Sequence, residues 1–299
     1  MNKPTEHYPA RAGLFAGIIA YVMWGFFPVY FKITSDTSPM EILAHRVVWA
    51  TPFAALIILF RKQWPQVRQA LANKKTLGAL TLAALFIAFN WGLYIWAVQK
   101  NQILQASLGY YINPLIFVLV GVVSFGEKLR KLQLIAVALA TIGVAILTVM
   151  GGQFPWIALS LALSFTAYGV IRKRTEVGAL PGLFIETSVL FLPAVAYLIW
   201  LQTQGNLNLT NTSLDMAALL ILAGPITVLP LVAFAFAARR LQLSTLGFLQ
   251  FIGPSLQFLM GVSYGEKLTP SVLLCFAFIW TAAAFFAWDA AHTHIRSRL

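Results

Sequence analysis

Charged residues and cysteine are both scarce in this sequence. Only 10% of the 299 residues are charged, whereas 60% are hydrophobic. About a quarter of the residues of a soluble domain are charged, and a soluble chain of this size could not keep so much apolar surface away from water. We therefore expect lipid to surround the protein. The single cysteine, Cys275, lies within an apolar run, which excludes a disulfide framework and a metal–cysteine cluster.

The sequence also lacks the common motifs of catalysis and nucleotide binding. It has no Walker A loop, no His-Glu-x-x-His motif and no Gly-x-Ser-x-Gly motif, which argues against an ATPase, a metalloprotease and a serine hydrolase. Three of the four histidines lie near the termini, so neither a metal site nor a cofactor is expected. The net charge of +12 is spread over short loops without a contiguous basic face, so nucleic-acid binding is not expected.

Ten apolar segments occupy most of the chain. Each is about 17 to 23 residues long, the length at which a helix crosses a hydrocarbon core of about 30 Å. None alternates as a membrane strand would. The sequence therefore predicts an all-α integral membrane protein with ten transmembrane helices. The segments are 14–31, 42–60, 77–98, 104–124, 133–150, 155–171, 183–201, 216–238, 244–263 and 271–289.

The distribution of lysine and arginine predicts the orientation in the membrane. With the N-terminus inside, 17 of these residues fall on the inner side and 4 on the outer side. Because inner loops are enriched in basic residues, both termini are expected in the cytoplasm. The first segment follows Arg11 as the core of a signal peptide would. No small-residue cleavage site follows it, so we interpret it as a retained first span.

The sequence contains an internal repeat. The stretch Ala106–Pro114 is similar to Ser244–Pro254. Each is followed by the same closing motif, Gly-Glu-Lys-Leu, at Gly126–Leu129 and at Gly265–Leu268. The glutamates of the two closing motifs are 139 residues apart. The beginning of the stretch, its proline and its closing motif rarely all match by chance, so we predict two copies of one five-helix repeat.

The two predicted repeats occupy residues 1–150 and 151–299. Five spans per copy is an odd number, so the second copy is inverted in the membrane relative to the first. Inverted repeats are a recurrent plan of secondary transporters, in which the substrate site lies near the midplane between the copies. Exchanging which copy is open and which is closed gives alternating access.

Polar and aromatic residues within the spans are candidates for the wall of a substrate cavity. Leaving a polar group in hydrocarbon costs several kcal/mol, so such residues need partners or water. The strongest signal is the fourth span with its match in the ninth, where Pro114 and Pro254 predict a pair of kinked, cavity-facing half-helices. The alternative is that small residues and prolines serve tight helix crossing. The candidates are Trp24, Asn90, Tyr94, Ser107, Tyr110, Tyr111, Asn113, Tyr168, Gln250 and Gln257.

A second group of candidates is charged and lies near helix starts. Glu41 and His45 are at i, i+4 and can hydrogen-bond, and Arg46 is the best candidate for a fixed ion pair. Glu186 is the counterpart of Glu41 in the second repeat and is expected at the opposite end of the bundle. These four residues are candidates for gating or proton coupling. A structural network, or a solvated Glu186 at a helix start, is the alternative.

The fifth and tenth segments carry almost no polar groups. Residues 135–149 and 272–288 are nearly uniformly apolar. We expect them to face lipid or a second protomer, in which case they would form a homodimer interface.

Four segments resemble the drug/metabolite transporter superfamily, in its EamA group. They match the RarD subfamily more closely and are Glu41–Trp49, Asn90–Val98, Ala106–Pro114 and Ser244–Pro254. The resemblance covers essentially the whole chain.

The resemblance implies a multi-pass permease of the bacterial plasma (inner) membrane, usually an exporter of small metabolites or drugs. RarD members are often labelled chloramphenicol-sensitive proteins or permeases. The fold implies a central cavity lined by spans one, three, four, six, eight and nine, which leaves out span two with Glu41 and His45. We expect a secondary transporter of small organic solutes, not an enzyme. A membrane enzyme or lipid scramblase built on the same bundle is the alternative.

Overall fold

The computed structural model describes residues 10–125, 130–152, 154–241 and 243–296. Within these residues the chain forms fourteen helices and no strand. The predicted closing motif Gly126–Leu129 lies outside the described residues. The helices are α1 Ala10–Gly25, α2 Phe27–Ile33, α3 Pro39–Phe60, α4 Trp64–Ala72, α5 Lys74–Gln99, α6 Ile103–Phe125, α7 Lys131–Gly151, α8 Trp156–Arg174, α9 Ala179–Thr203, α10 Asn208–Asn211, α11 Leu214–Ala238, α12 Leu243–Leu249, α13 Ile252–Ser263 and α14 Pro270–Arg296.

Eight helical stretches of the described chain are long and apolar enough to cross a membrane. They correspond to eight of the ten predicted segments. The other two predicted segments are α6, of 23 residues, and α8, of 19 residues. The last turn of α8 carries Arg172, Lys173 and Arg174, which lowers its mean hydropathy. The short helix α4 was not predicted, because its nine residues are too few and too polar for a span.

Side-chain caps mark the starts of several long helices. The Ser38 hydroxyl accepts a hydrogen bond of 3.2 Å from the backbone N–H of Glu41 at the start of α3. The Asn73 side chain caps α5 by accepting from the backbone N–H groups of Lys75 at 3.0 Å and Thr76 at 3.2 Å. Such caps satisfy N–H groups that the first turn of a helix leaves free. Local sequence therefore fixes where these helices begin.

Two of the predicted spans are divided, and their prolines explain where. The first consists of α1 and α2, separated at Phe26, with Pro28 in the first turn of α2. The ninth consists of α12 and α13, separated at Gln250 and Phe251, with Pro254 in the first turn of α13. Proline is tolerated in a first turn because its missing N–H has no partner there.

The helix α6 is continuous, although its counterpart in the ninth span is divided. It runs from Ile103 to Phe125 with Pro114 in its interior. No break therefore divides α6 at Pro114, and the kink predicted there remains a prediction. Packing against α8 on one side and α13 on the other holds α6 together where proline alone would favour a break.

The central helices pack in a fixed order around the site. α3 packs against α9 and α11, α5 against α8, and α6 against α8 and α13. The ring of Trp64, just after the end of α3, lies 5.3 Å from the ring of Phe184, near the start of α9. α3 and α9 are therefore antiparallel, and their starts lie at opposite ends of the pair.

Two glycines at matching positions of the repeated motif have different surroundings. A Cβ added at Gly109 of α6 would lie 2.7 Å from the backbone oxygen of Ala158 of α8. A Cβ added at Gly247 of α12 would meet no atom within 4 Å. The backbones of α6 and α8 touch at this glycine, whereas the matching face of α12 is open.

The helices α7 and α14, which correspond to the fifth and tenth segments, pack against each other. A Cβ added at Gly143 of α7 would lie 3.1 Å from the backbone oxygen of Cys275 of α14. Large apolar side chains on the outer faces of both helices are exposed, among them Leu134, Val149 and Trp288. These faces are the ones expected to meet lipid or a second protomer.

Candidate functional site

Arg46 is a buried cation between α3, α5 and α11. It lies on α3 with 3% of its surface exposed, and its Nε donates a hydrogen bond of 3.0 Å to the Thr227 hydroxyl of α11. The guanidinium carbon is 4.2 Å from the ring centre of Trp91 and 5.6 Å from those of Phe27 and Phe31. Cation–π attraction therefore holds the guanidinium in place.

The ion pair predicted for Arg46 is wrong. No carboxylate of a described residue pairs with it, because Glu41, the nearest acid in sequence, is engaged elsewhere. Both Glu41 oxygens accept hydrogen bonds from Asn208, from its backbone N–H at 2.7 Å and from its side-chain amide at 2.8 Å. Arg46 and Glu41 also lie five residues apart on α3, which turns them toward different neighbours.

Glu41 and His45 lie side by side without a hydrogen bond between them. Their closest atoms, His45 Nε2 and Glu41 Oε1, are 3.8 Å apart, which exceeds hydrogen-bond length. The two side chains are in contact at i, i+4 as the sequence suggested, while Asn208 donates to both carboxylate oxygens. The ring of His45 instead accepts a hydrogen bond of 3.3 Å at Nδ1 from Trp49 Nε1. This network fastens the start of α3 to α10, 167 residues away.

Asn90 joins α5 to α8 and α6. Its amide nitrogen donates hydrogen bonds of 2.9 Å to the Leu161 backbone oxygen and the Ser164 hydroxyl. Its oxygen accepts a hydrogen bond of 3.4 Å from the Tyr110 hydroxyl. The ring of Tyr110 lies 5.6 Å from that of Tyr94, whose buried hydroxyl has no hydrogen-bond partner among the described residues. These predicted site residues meet between helices.

The adjacent tyrosines of α6 point to different neighbours. The Ser107 hydroxyl donates a hydrogen bond of 2.7 Å to the Pro254 backbone oxygen. The Tyr111 hydroxyl oxygen lies 2.6 Å from the Ser255 hydroxyl oxygen. Ser107 and Tyr111 therefore face α13, whereas Tyr110 faces α5 and α8. The structure divides this predicted set into two faces.

The remaining amides of the predicted set are dispersed. Asn113 accepts a hydrogen bond of 2.9 Å from the Thr166 hydroxyl of α8, and buried Gln257 donates one of 3.3 Å to the Trp24 backbone oxygen. Gln250 is half-buried at the break between α12 and α13, and its side chain makes no hydrogen bond within the described chain. That break lies between the two candidate glutamines of the ninth span, Gln250 and Gln257.

Glu186 of α9 is fully buried in a network of three residues. Its Oε1 is 3.2 Å from Arg172 Nε, and its Oε2 accepts a hydrogen bond of 3.3 Å from the Tyr168 hydroxyl. The alternative of a solvated Glu186 is wrong, because its exposure is 0%. Since α3 and α9 are antiparallel, Glu41 and Glu186 lie at opposite ends of this helix pair.

Glu266 is a functional candidate that the sequence did not indicate. Its carboxylate accepts hydrogen bonds from the backbone N–H groups of Ile103, at 2.5 Å, and Leu104, at 2.8 Å, at the start of α6. Burial raises the pKa of this carboxyl, against the opposing effects of those hydrogen bonds and of the Lys32 charge. Lys32 in turn donates a hydrogen bond of 2.6 Å to the Asn101 side chain. The contact spans 162 residues, so no local pattern reveals it.

Across the described ranges, no three His, Cys, Asp or Glu side chains lie together in a way that could hold a metal ion.

The long apolar helices, with polar networks enclosed between them, define a multi-pass helical membrane protein. Residues 11–149 match the EamA-like transporter family. An uncharacterized transporter of Vibrio cholerae is 45% identical over 302 residues, which cover 100% of both chains. Protein RarD of Streptomyces exfoliatus is 43% identical over 289 residues, covering 96% of this chain and 92% of that protein. A solved crystal structure superposes with a TM-score of 0.61 at 18% identity, covering 95% of this chain and 99% of the other, and shows the likeness of fold alone.

The chain belongs to the EamA family of the drug/metabolite transporter superfamily, in its RarD subfamily. It is a membrane transporter of that type, which agrees with the expectation from the sequence that it is not an enzyme.

Proposed function

We propose that this protein is a secondary transporter that moves small organic solutes across the bacterial plasma membrane by alternating access. The observation that carries the proposal is a pair of enclosed polar sets, one linking α3 to α11 and the other linking α5 to α6 and α8, with the cation–π contact between Arg46 and Trp91 of α5 between them. Arg46 bonds to Thr227, while Asn90 bonds to Ser164 and accepts from Tyr110. Polar groups enclosed between membrane helices mark substrate pathways, because their burial in lipid is costly.

Two inverted five-helix repeats, 1–150 and 151–299, give the proposal its mechanism. With α6 and α8 as the fourth and sixth of ten spans, both termini lie on the same side of the membrane, and the excess of lysine and arginine on that side supports the cytoplasm. The antiparallel arrangement of α3 and α9 supports the inversion, since these are the second spans of the two repeats. Glu41 and Glu186 then mark opposite gates. Exchange of the two gates exposes one central site to each side in turn.

An enclosed cavity is the feature that separates a transporter from a lipid scramblase or a membrane enzyme. A scramblase needs a polar groove that is open to lipid. Asn90 is 1% exposed, Ser107 is 0% exposed and Gln257 is 4% exposed, which supports an enclosed site. Measurement of lipid flip-flop in vesicles containing the protein separates the functions, because a transporter leaves this rate unchanged.

Solute uptake into reconstituted vesicles tests the proposal. Gln250→Ala is the most informative variant, since its side chain makes no hydrogen bond within the described chain and its loss should leave folding intact. Asn113→Ala removes an acceptor for Thr166 as well. Both variants should reduce uptake, and exposed Gln204→Ala is the matched control. Wild-type uptake in both variants would refute the cavity assignment.

Coupling to protons is tested in the same vesicles. Transport that stops when the proton gradient is collapsed, and that is weakened by Glu41→Gln, supports coupling through the gate residues. Transport that is indifferent to both indicates facilitated diffusion.

A homodimer through α7 and α14 is part of the proposal, because both helices carry exposed apolar faces. Cross-linking between Val149→Cys protomers in vesicles tests that interface.

A further inference from the structure

The guanidinium of Arg46 is a buried positive charge that no carboxylate neutralises within the described chain. An arginine side chain has five N–H donors. Here one donor position, Nε, makes a hydrogen bond to the protein, the 3.0 Å contact with Thr227. The phenols of Tyr30, Tyr94 and Tyr110 are near enough to interact with its charge, and a phenol carries no charge at neutral pH. A buried cation without a counter-charge costs several kcal/mol, so its retention requires a reason.

A second unsatisfied polar group lies beside this cation. Tyr94 is 3% exposed, and its hydroxyl has no hydrogen-bond partner among the residues that the structure describes. The ring of Phe31 contacts both groups, with its centre 5.8 Å from the ring centre of Tyr94 and 5.6 Å from the guanidinium carbon of Arg46. Buried donors are almost always satisfied. A cation and a free hydroxyl that contact the same ring therefore favour one acceptor that carries negative charge.

We infer that Arg46 binds the carboxylate of the transported solute and that the Tyr94 hydroxyl donates a second hydrogen bond to it. This inference rests on the proposed transport function and specifies its substrate class. Arginine suits the role because its planar fork matches a carboxylate with two parallel hydrogen bonds. The solute is then an organic monoanion, or a zwitterion with one carboxylate.

The surroundings of Arg46 favour one negative charge over two. A single guanidinium neutralises a carboxylate, whereas a phosphate dianion would keep a net charge in a low-dielectric site. Within the described residues, Arg46 contacts the Thr227 hydroxyl and aromatic rings, none of which carries a positive charge. The site therefore selects against dianions.

Aromatic rings provide the wall for the rest of the solute. The ring of Tyr110 lies 5.6 Å from that of Tyr94 and 6.2 Å from that of Phe165. The ring of Trp91 lies against the guanidinium itself. Such a wall suits an aromatic or other apolar body attached to the carboxylate.

A purely structural arginine makes a different prediction from a binding arginine. If the contacts with Trp91 and Thr227 are the reason for Arg46, then replacing it by a neutral residue destabilises the fold. If Arg46 is retained for an anion, then Arg46→Met removes an unpaired buried charge. The empty protein should then melt at an unchanged or higher Tm, because apolar replacements of buried charges are often stabilising.

The binding test uses phenylacetate, its neutral amide phenylacetamide, and phenylalanine as probes of the purified full chain in nanodiscs. Phenylacetate or phenylalanine should raise the Tm and bind by calorimetry, whereas phenylacetamide should not. The acid and the amino acid together separate a simple organic anion from a zwitterion. Arg46→Met and Arg46→Gln should weaken carboxylate binding about 10- to 100-fold, the effect of a lost charge-assisted hydrogen bond.

Matched variants keep the inference open to refutation. Tyr94→Phe removes the free hydroxyl with little change of shape, and it should weaken carboxylate binding about 5- to 10-fold. Arg46→Lys keeps the charge without the planar fork and should bind more weakly than wild type but more tightly than Arg46→Gln. Arg68→Gln, at an exposed position of α4, changes the net charge equally and should bind as wild type does.

Three outcomes would overturn the inference. The first is equal binding of phenylacetate and phenylacetamide. The second is unchanged carboxylate binding in both Arg46→Gln and Tyr94→Phe. The third is a wild-type protein that binds neither phenylacetate nor phenylalanine. If neutral solutes such as chloramphenicol are still transported in those cases, the transport function stands and only the anion site fails. If no solute moves in vesicles at all, the proposed function fails first.

Discussion

The backbone N–H of Leu104 donates a hydrogen bond of 2.8 Å to the carboxylate of Glu266, 162 residues further along the chain. Ile103 donates to the other oxygen of the same group. A carboxylate at a helix start satisfies free N–H groups and complements the positive end of the helix dipole. The loop between α13 and α14 thus fastens the start of α6, which joins the two halves of the chain at one end of the bundle.

Removal of this cap is expected to destabilise the protein. Glu266→Ala should lower the free energy of unfolding by about 1–2 kcal/mol, because two N–H groups at the start of α6 lose their acceptor. Glu266→Gln keeps one acceptor oxygen, so it should lower the free energy of unfolding by less than Glu266→Ala does. Glu176→Ala, at an exposed loop position, is the control. Thermal melting in detergent provides the measurement, and equal Tm values for the three variants would contradict the capping role.

The cap should also respond to pH. Burial raises the pKa of the Glu266 carboxyl above its ordinary value of 4.5, so the folded protein holds that proton more tightly than the unfolded chain. The stability linked to this group is therefore fully present below about pH 4.5 and is lost as pH rises through the raised pKa. The Tm difference between wild type and Glu266→Gln should accordingly decrease from about pH 4 to pH 8. A Tm difference that grows from pH 4 to pH 8 would show that folding does not raise the pKa of the Glu266 carboxyl.

The Arg172–Glu186 pair should be essential for folding. Arg172→Gln leaves the carboxylate of Glu186 buried without its cation, which is expected to cost about 3–5 kcal/mol. The double variant Arg172→Gln with Glu186→Gln should recover most of that loss, since no buried charge remains. Lys173→Gln, exposed on the same turn of α8, should leave the Tm within a degree or two of wild type. Additive losses in the double variant would argue against a coupled pair.

The two matching glycines should respond in opposite directions. In Gly109→Ala the new methyl group would meet the Ala158 backbone oxygen at 2.7 Å, which should destabilise the protein by about 1–3 kcal/mol. In Gly247→Ala the methyl group would meet open space, so the higher helix propensity of alanine should stabilise α12 by about 0.5–1 kcal/mol. Thermal melting of the two variants side by side measures the difference. Equal effects would mean that the two positions have the same surroundings.

Local pattern was sufficient to predict features that depend on neighbouring residues. Hydrophobic runs predicted the long helices, and the i, i+4 spacing placed His45 beside Glu41 and Trp49. The division of the ninth span at Gln250 also agrees with the position of Pro254, because proline favours a break before it. Pro114 has the same local pattern without a break, since the packing of α6 against α8 and α13 is not encoded locally.

Contacts between distant residues could not be predicted from one sequence. Asn208 takes the hydrogen bonds of Glu41 from 167 residues away, and Thr227 meets Arg46 from 181 residues away. The same limit explains the wrong ion pair for Arg46, since composition alone does not show which acids are already engaged. Glu266 was interpreted as part of a closing motif, because nothing near it in sequence reveals its target on α6.

The open face at Gly247 has a further consequence for the energy balance of the transport cycle. If the two repeats exchange surroundings during the cycle, Gly247 must approach a neighbouring backbone as closely as Gly109 approaches Ala158 here. Gly247→Ala would then leave the conformation described here unharmed and would destabilise the opposite conformation by about 1–3 kcal/mol. Populations would shift by about 5- to 150-fold toward the state described here. A single methyl group, remote from Arg46, would thereby slow turnover without touching the solute.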